Sequence, residues 1–228
     1  MKVAVCQPHY LPWCGHLALI DSVDTYVFYD DVQFSPQSWQ QRNRIKTANG
    51  IQWLTIPIER NFPQKINEVK INFSKPWRDK HWETIQQSYS KAPFFKESAK
   101  FWEDFYQVRF FYLSDMTEYL TRMMMKGFNL KEPKYIQSSE MELEGDKTDR
   151  LIRLLTQIGA TEYVSGVKAR AYIEDDKFKE AGIKLGWFDY KPQEYPQLYG
   201  EFIPYMSAID LLMNTGDGSA EIIRKGIK

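Results

Sequence analysis

Apolar positions along this chain follow two periods, and the switch between them marks the elements. Residues 2–6 (KVAVC) form a short apolar run closed by Gln7-Pro8. They are predicted to be a buried strand, because the prolines at 8 and 12 cannot extend a ladder. A loop over 7–14 follows, and a helix opens at Gly15 with Leu17, Ile20 and Val23 as its apolar stripe. Residues 25–29 (TYVFY) are β-branched and aromatic and read as a second strand ending at Asp30-Asp31. Strand, loop, helix and strand within about 30 residues make a βαβ unit, which implies a parallel sheet with a right-handed crossover. Ligands of such sheets sit beyond the carboxyl ends of the strands, so residues 7–14 and 30–34 are expected at that edge.

The middle of the chain changes rhythm. Residues 42–58 read as a hairpin turning at Asn49-Gly50, and 68–72 (EVKIN) as a further strand. Ser74 is expected to cap a helix begun by Pro76, carrying Trp82, Ile85 and Tyr89. Pro93 separates it from a second aromatic helix over 94–107. A third, over 114–127, carries Met116, Leu120, Met123 and Met124 and is stopped by Gly127. The α/β rhythm then returns. A strand is predicted at 134–138, then a helix capped by Asp146 and ended by Gly159, and a strand at 162–165 ending at Gly166. A helix over 171–181, a strand over 183–188 and two short helices over 207–214 and 218–225 follow. The expected architecture is one α/β domain over 1–228. Its Rossmann-like, mostly parallel sheet is interrupted by a β-hairpin excursion (42–73) and an aromatic helical insert (74–130).

Charge narrows the classes. The chain balances 30 Lys+Arg against 30 Asp+Glu, which argues against a general nucleic-acid binder. Its 15% aromatic content argues for a packed core instead of disorder. No apolar run approaches the roughly 20 residues of a membrane span, and no signal-peptide core precedes the first strand. A cytoplasmic protein is expected. Cys6 and Cys14 make neither a disulfide framework nor a zinc-binding spacing, so no metal site is expected.

Four constellations could carry chemistry. The first is the loop Gln7 to His16 (QPHYLPWCGH), stiffened by two prolines, which offers Gln7, His9, Tyr10 and Trp13 before Gly15-His16 open a helix. A helix start can hold an anion, with an imidazole as an added donor. The second is Asp30-Asp31 with Gln33. Carboxylates at a strand end can hold Mg²⁺ or accept a proton, although strand alternation would send the two side chains to opposite faces. The third is Arg42-Asn43-Arg44-Ile45-Lys46, whose three cations would share one strand face, as either an anion site or a charged edge. The fourth comprises Ser165-Gly166 after a strand, with Arg170 and Tyr172 beyond, and the stiff aromatic loop around Tyr195 and Gln197.

Trp13-Cys14-Gly15-His16 resembles the second half of the His-x-Gly-His signature of adenylyl-transferring enzymes such as nucleotidylyltransferases and pantothenate synthetase, with Trp13 standing where that signature has its first histidine. A broader resemblance is to the WbqC-like protein family. It is carried by QPHYLPWCGHLALID (7–21), Asp30 to Phe34, Trp39, Arg42 to Lys46, Asn49-Gly50, Trp53 to Pro57, Tyr163 to Gly166, Arg170 to Tyr172, Tyr195 to Gln197 and Ser207 to Asn214. This resemblance implies a role in surface-polysaccharide (O-antigen) synthesis, as an aminoacyl (glycine-type) transferase or an ATP-dependent amide ligase acting on a nucleotide-linked amino sugar. ATP with Mg²⁺ is the implied cofactor of the ligase form, and a homodimer is compatible with the aromatic insert. Under this reading His16, Asp30, Asp31, Arg44 and Lys46 are the catalytic candidates. Gln7, His9, Tyr10, Trp13, Gly15, Gln33, Arg42, Asn43, Ser165, Gly166, Arg170, Tyr172, Tyr195 and Gln197 would bind substrate. A non-catalytic module for a nucleotide-sugar or glycan is the alternative.

Overall fold

The structure is a computed structural model that describes residues 1–59, 61, 63–145, 147–171 and 173–228. Strand β1 (Lys2–Cys6), helix α1 (Cys14–Asp21) and strand β2 (Thr25–Phe28) form the expected parallel unit, with Val3 opposite Thr25 and Cys6 opposite Phe28. A hairpin of β3 (Arg42–Thr47) and β4 (Gly50–Thr55) leaves the sheet, followed by three helices: α2 (Trp77–Tyr89), α3 (Phe95–Gln107) and α4 (Leu113–Gly127). The chain then returns with β5 (Lys134–Gln137), α5 (Lys147–Gln157), β6 (Glu162–Gly166), α6 (Asp175–Glu180) and β7 (Lys184–Phe188). It closes with α7 (Ala208–Thr215) and α8 (Ser219–Lys225).

The five sheet strands lie in the order β5-β2-β1-β6-β7, and every pair is parallel. Counted along the chain this is 3-2-1-4-5, a Rossmann-like order that reverses between β1 and β6. Alternation divides the strand side chains between two layers. Ala4, Tyr26 and Phe28 pack toward the larger core with α1, the inserted helices and α7, whereas Val3 and Val27 pack with Leu154, Leu155 and Phe178 of α5 and α6. Both faces are therefore covered, which is why these strands read as near-continuous apolar runs.

Several boundaries differ from the sequence expectation. The hairpin turns on Ala48 and Asn49, and Gly50 opens the return strand opposite Thr47 with φ +96°, so glycine is needed one position after the turn centre. Residues 68–72 form no named strand. Their backbone is divided between two partners, with single bridges from Ile71 to Ile58 and from Lys70 to Tyr112. Ser74 does not cap α2. Its N–H donates to Asn72 Oδ1 at 2.8 Å, and Pro76 occupies the cap position. Gly127 is the last residue of α4, and the left-handed residue that redirects the chain is Asn129 (φ +52°). In the 171–181 segment, a 3₁₀ turn (Val167–Ala171) is followed by α6 only from Asp175. The expected Asp146 cap lies outside the described residues. No helix among the described residues is long and apolar enough to cross a membrane.

Glu118 on α4 is buried. Its Oε2 accepts from Gln137 Nε2 at 2.6 Å, while Oε1 is buried without a partner. Burial lifts its carboxyl from the ordinary 4.5 to about 7. The folded protein thus holds a proton that the unfolded chain releases. The associated stability is complete below about pH 4.5 and is lost as pH climbs through about 7. Glu118→Gln should flatten this slope and, in urea unfolding at about pH 8, gain on the order of 2 kcal/mol over the parent. Parallel pH profiles of the two proteins would contradict it.

Candidate functional site

Two clefts open at the carboxyl end of β1, on the side where the strand order reverses. The first, about 610 Å³, is bordered by Trp13, His16, Trp39, Arg44, Tyr190 and Tyr205, with Gly15, Gly166 and Asp189 at its edges. The second, about 640 Å³, is bordered by Gln7, Tyr29, Val32, Thr148, Leu151 and Ser165. Cys6 and His9 border both, so the two clefts share that wall.

The loop that carries this wall is clamped from several directions. Asn43 Nδ2 donates to the carbonyls of Tyr10 and Leu11 at 3.2 and 2.7 Å. The Tyr10 hydroxyl is hydrogen-bonded with His81 Nδ1 (2.8 Å) and Tyr106 OH (2.7 Å) inside the helical insert. The Ala208 N–H donates to the Pro12 carbonyl at 3.0 Å. Tyr10 and Asn43 are therefore anchors of the site loop and do not face either cleft. Gly15 has a steric role. A Cβ there would fall under 3.0 Å from three atoms of the Trp13 indole, which folds back over the helix start. Gly15→Ala should displace that indole, with an expected destabilisation of about 1–3 kcal/mol and loss of the first cleft's shape. Unchanged Trp fluorescence together with an unchanged unfolding midpoint would contradict this.

Two imidazoles meet at the shared wall. The His9 and His16 rings lie 4.3 Å apart, and His16 Nε2 is 3.0 Å from Tyr26 OH. Burial lowers His9 to about 4 and holds His16 well below its ordinary value, aided by the neighbouring His9, so both rings are uncharged at neutral pH. His9 Nδ1 is buried with no hydrogen-bond partner. Burial pushes the Cys6 thiol up to about 11.

The opposite wall is aromatic and cationic. Trp13 packs edge-on against Tyr190 (5.3 Å) and lies 5.5 Å from Tyr205. Arg44 Nε donates to the Tyr205 carbonyl at 3.2 Å, and its guanidinium lies 5.9 Å from the Trp39 ring. Trp39 in turn faces Trp53 at 5.5 Å, and Arg42 sits 4.4 Å over Trp53. Trp39 and Tyr205 remain 42% and 48% exposed, so their faces are open to a ligand.

The remaining candidates scatter. Asp30 and Asp31 do not take opposite sides. The strand has ended at Phe28, so alternation no longer applies, and both carboxylates accept from Ser138 Oγ (3.1 and 2.5 Å). Asp30 also accepts from the N–H (3.0 Å) and hydroxyl (2.6 Å) of Ser139, and Asp31 pairs with Arg150. These contacts tie the end of β2 to the end of β5, and neither acid borders a cleft. Among the three cations of β3, only Arg44 borders one. Lys46 is buried and donates to the carbonyls of Gly200 (3.4 Å) and Glu201 (2.5 Å). Tyr195 and Gln197 donate to Asp210 Oδ1, each at 2.8 Å, and Tyr89 donates to Oδ2 at 2.7 Å. Gln33 is exposed and bridges to Lys65, and the Arg170 guanidinium lies 5.0 Å from the Trp187 ring. Gln7 accepts from Gln40 at 2.7 Å, and Ser165 accepts from Tyr163 at 3.3 Å, both on the second cleft. Tyr172 lies outside the described residues.

Sequence reasoning missed Tyr26, Tyr190, Tyr205 and Asp210. Tyr205 adopts φ +62°, a conformation that no local pattern marks. The donors for Mg²⁺-ATP are also thinner than expected. The His16 and Leu17 amides at the start of α1 both donate to the Trp13 carbonyl (3.0 and 3.3 Å). Asp189, 3.4 Å from Lys228, is the one carboxylate bordering either cleft among the described residues. Mg²⁺ bound with nucleotide usually takes one or two carboxylates along with the phosphates, and the single one here is already paired with Lys228, so this donor set is a weak fit.

The chain is similar to an uncharacterized protein, Rv1507c, of Mycobacterium tuberculosis, with 38% identity over 227 residues that cover 98% of this chain and 97% of the relative. No solved structure matches it. The model of the WbqC-like protein family matches residues 7–222 and so takes in the clamped loop, the aromatic wall and the Asp210 cluster; on that span, the chain belongs to the WbqC-like protein family.

Proposed function

We propose that this protein transfers an aminoacyl group of the glycine type from an already activated donor to the amine of a nucleotide-linked amino sugar in surface-polysaccharide synthesis. The observation that supports this most is the cleft at the sheet reversal, which has a half-open aromatic wall, one guanidinium and a buried, unpartnered imidazole nitrogen on the facing side. Trp39 and Tyr205 stack against the sugar or base. Arg44 holds a phosphate or the oxyanion that develops when the amine adds to the acyl carbonyl. The second cleft, past the wall formed by Cys6 and His9, takes the other reactant. The amide ligase form, in which ATP first activates the carboxylate, is less well supported because Asp189, paired with Lys228, is the one carboxylate on the cleft walls among the described residues.

A non-catalytic nucleotide-sugar module is the second reading. It is favoured by the engagement of Asp30, Asp31 and Lys46 in internal contacts. Incubation of the protein with nucleotide-linked amino sugars and activated glycine donors, read by mass spectrometry, should give a new amide without ATP. Labelled pyrophosphate exchange with ATP and glycine would instead establish the ligase. Tight sugar binding without turnover under any of these conditions would reject transfer in favour of the module.

A further inference from the structure

We propose that Cys6, His9 and His16 form an open three-ligand Zn²⁺ site at the wall between the two clefts. One ligand atom from each residue, the Cys6 sulfur and a ring nitrogen of each histidine, lies within 4.8 Å of the other two. In a tetrahedral zinc site, Zn–S near 2.3 Å and Zn–N near 2.0–2.1 Å set ligand atoms about 3.3–3.6 Å apart, so closure needs roughly 1 Å of ring movement. A thiolate with two imidazoles selects zinc over oxygen-seeking cations such as Mg²⁺. The sequence expectation of no metal counted the cysteines alone. The fold brings the ligands together from the end of β1, the clamped loop and the first turn of α1.

Two further observations fit a bound ion here. His9 Nδ1 is buried and unsatisfied, although buried polar atoms nearly always find a partner. The His16 ring is already oriented by Tyr26 OH at 3.0 Å, the kind of outer contact that fixes a ligating imidazole. Three protein ligands leave a fourth position, and Cys6 and His9 border both clefts, so that position opens onto the ligand space. It would take water or a carbonyl or phosphoryl oxygen, which the ion polarises. Binding replaces the proton of the Cys6 thiol, which leaves to solvent. The site rests on donor geometry and is independent of aminoacyl transfer.

The test uses the full chain stripped with chelator, then exposed to Zn²⁺ alone or Co²⁺ alone. About one equivalent of zinc should survive gel filtration, and Co²⁺ should give a thiolate charge-transfer band with intense tetrahedral visible bands. Cys6→Ser should abolish the charge-transfer band, and Cys14→Ser should keep it. Tyr26→Phe should retain binding with affinity lowered about 10- to 100-fold. If Cys6→Ser fails to fold, His9→Asn supplies the same test through loss of stoichiometric zinc. Wild-type protein that retains no zinc, or bands that persist in Cys6→Ser and His9→Asn, would overturn the site. Amide transfer by protein freed of metal would leave the transfer reading standing without a role for zinc in it.

Discussion

The Asp210→Ala protein is expected to lose about 3–5 kcal/mol of stability, a large share of the roughly 5–15 kcal/mol that holds a typical domain folded. Asp210 is 1% exposed and accepts from Tyr89, Tyr195 and Gln197. Burial raises its carboxyl above the ordinary range, while the three donors and the nearby Lys46 oppose that rise. Alanine would leave the buried Tyr89 and Tyr195 hydroxyls without their acceptor, while Gln197 would keep the Ile203 carbonyl, and the buried Lys46 ammonium would lose its nearby opposite charge. The cluster joins α2, the 195–203 loop and α7, and the same helix supports the site loop through the Ala208 contact with Pro12. The loss should therefore appear both in the urea midpoint and in the intrinsic fluorescence of the cleft tryptophans. Asp210→Asn, which keeps one oxygen acceptor, should lose less. A change under about 1 kcal/mol for alanine would mean that water replaces the carboxylate and that the cluster is not a structural node.

Arg44→Ala should behave in the opposite way, with transfer activity down about 100-fold or more and stability within about 1 kcal/mol of the parent. The guanidinium makes one hydrogen bond to backbone, at the Tyr205 carbonyl, lies 5.9 Å from the Trp39 ring and borders the first cleft. Arg44→Lys should recover only part of the loss, because an ammonium lacks the planar fork that holds a phosphate or carboxylate in two places. The measurements are steady-state transfer rates and a denaturation curve for each variant. Full activity in the alanine variant would remove Arg44 from the site. A collapsed denaturation midpoint would make it a structural residue of the β3–Tyr205 junction.

The βαβ opening, the sheet strands and the aromatic insert were legible because the strands read as short apolar runs bounded by turn residues and the helices carry helical spacing. The strand ends, and hence the sheet edge where the two clefts open, followed from that alone. Which side chains face that edge was not legible. Tyr10 and Trp13 belong to the same loop, yet one is buried in the insert and the other lines the cleft, because Asn43 and Ser207 fix the loop from residues distant in sequence. Asp30 and Asp31 look like site acids in one dimension, and their serine partners lie over a hundred residues away. Three alternating cations on β3 share a strand face, but the 195–205 loop covers Lys46, Trp53 takes Arg42, and only Arg44 stays on the cleft. Long-range contacts, which no local pattern encodes, made these choices.

The partition formed by Cys6 and His9 has a consequence for reaction order. In the proposed transfer, clefts on either side of a single strand end would let donor and acceptor be held together, so that neither has to leave before the other enters. Initial-velocity plots at several fixed concentrations of the second reactant should therefore give intersecting lines, the mark of a ternary complex, and no covalent acyl-protein should accumulate when the donor is supplied alone.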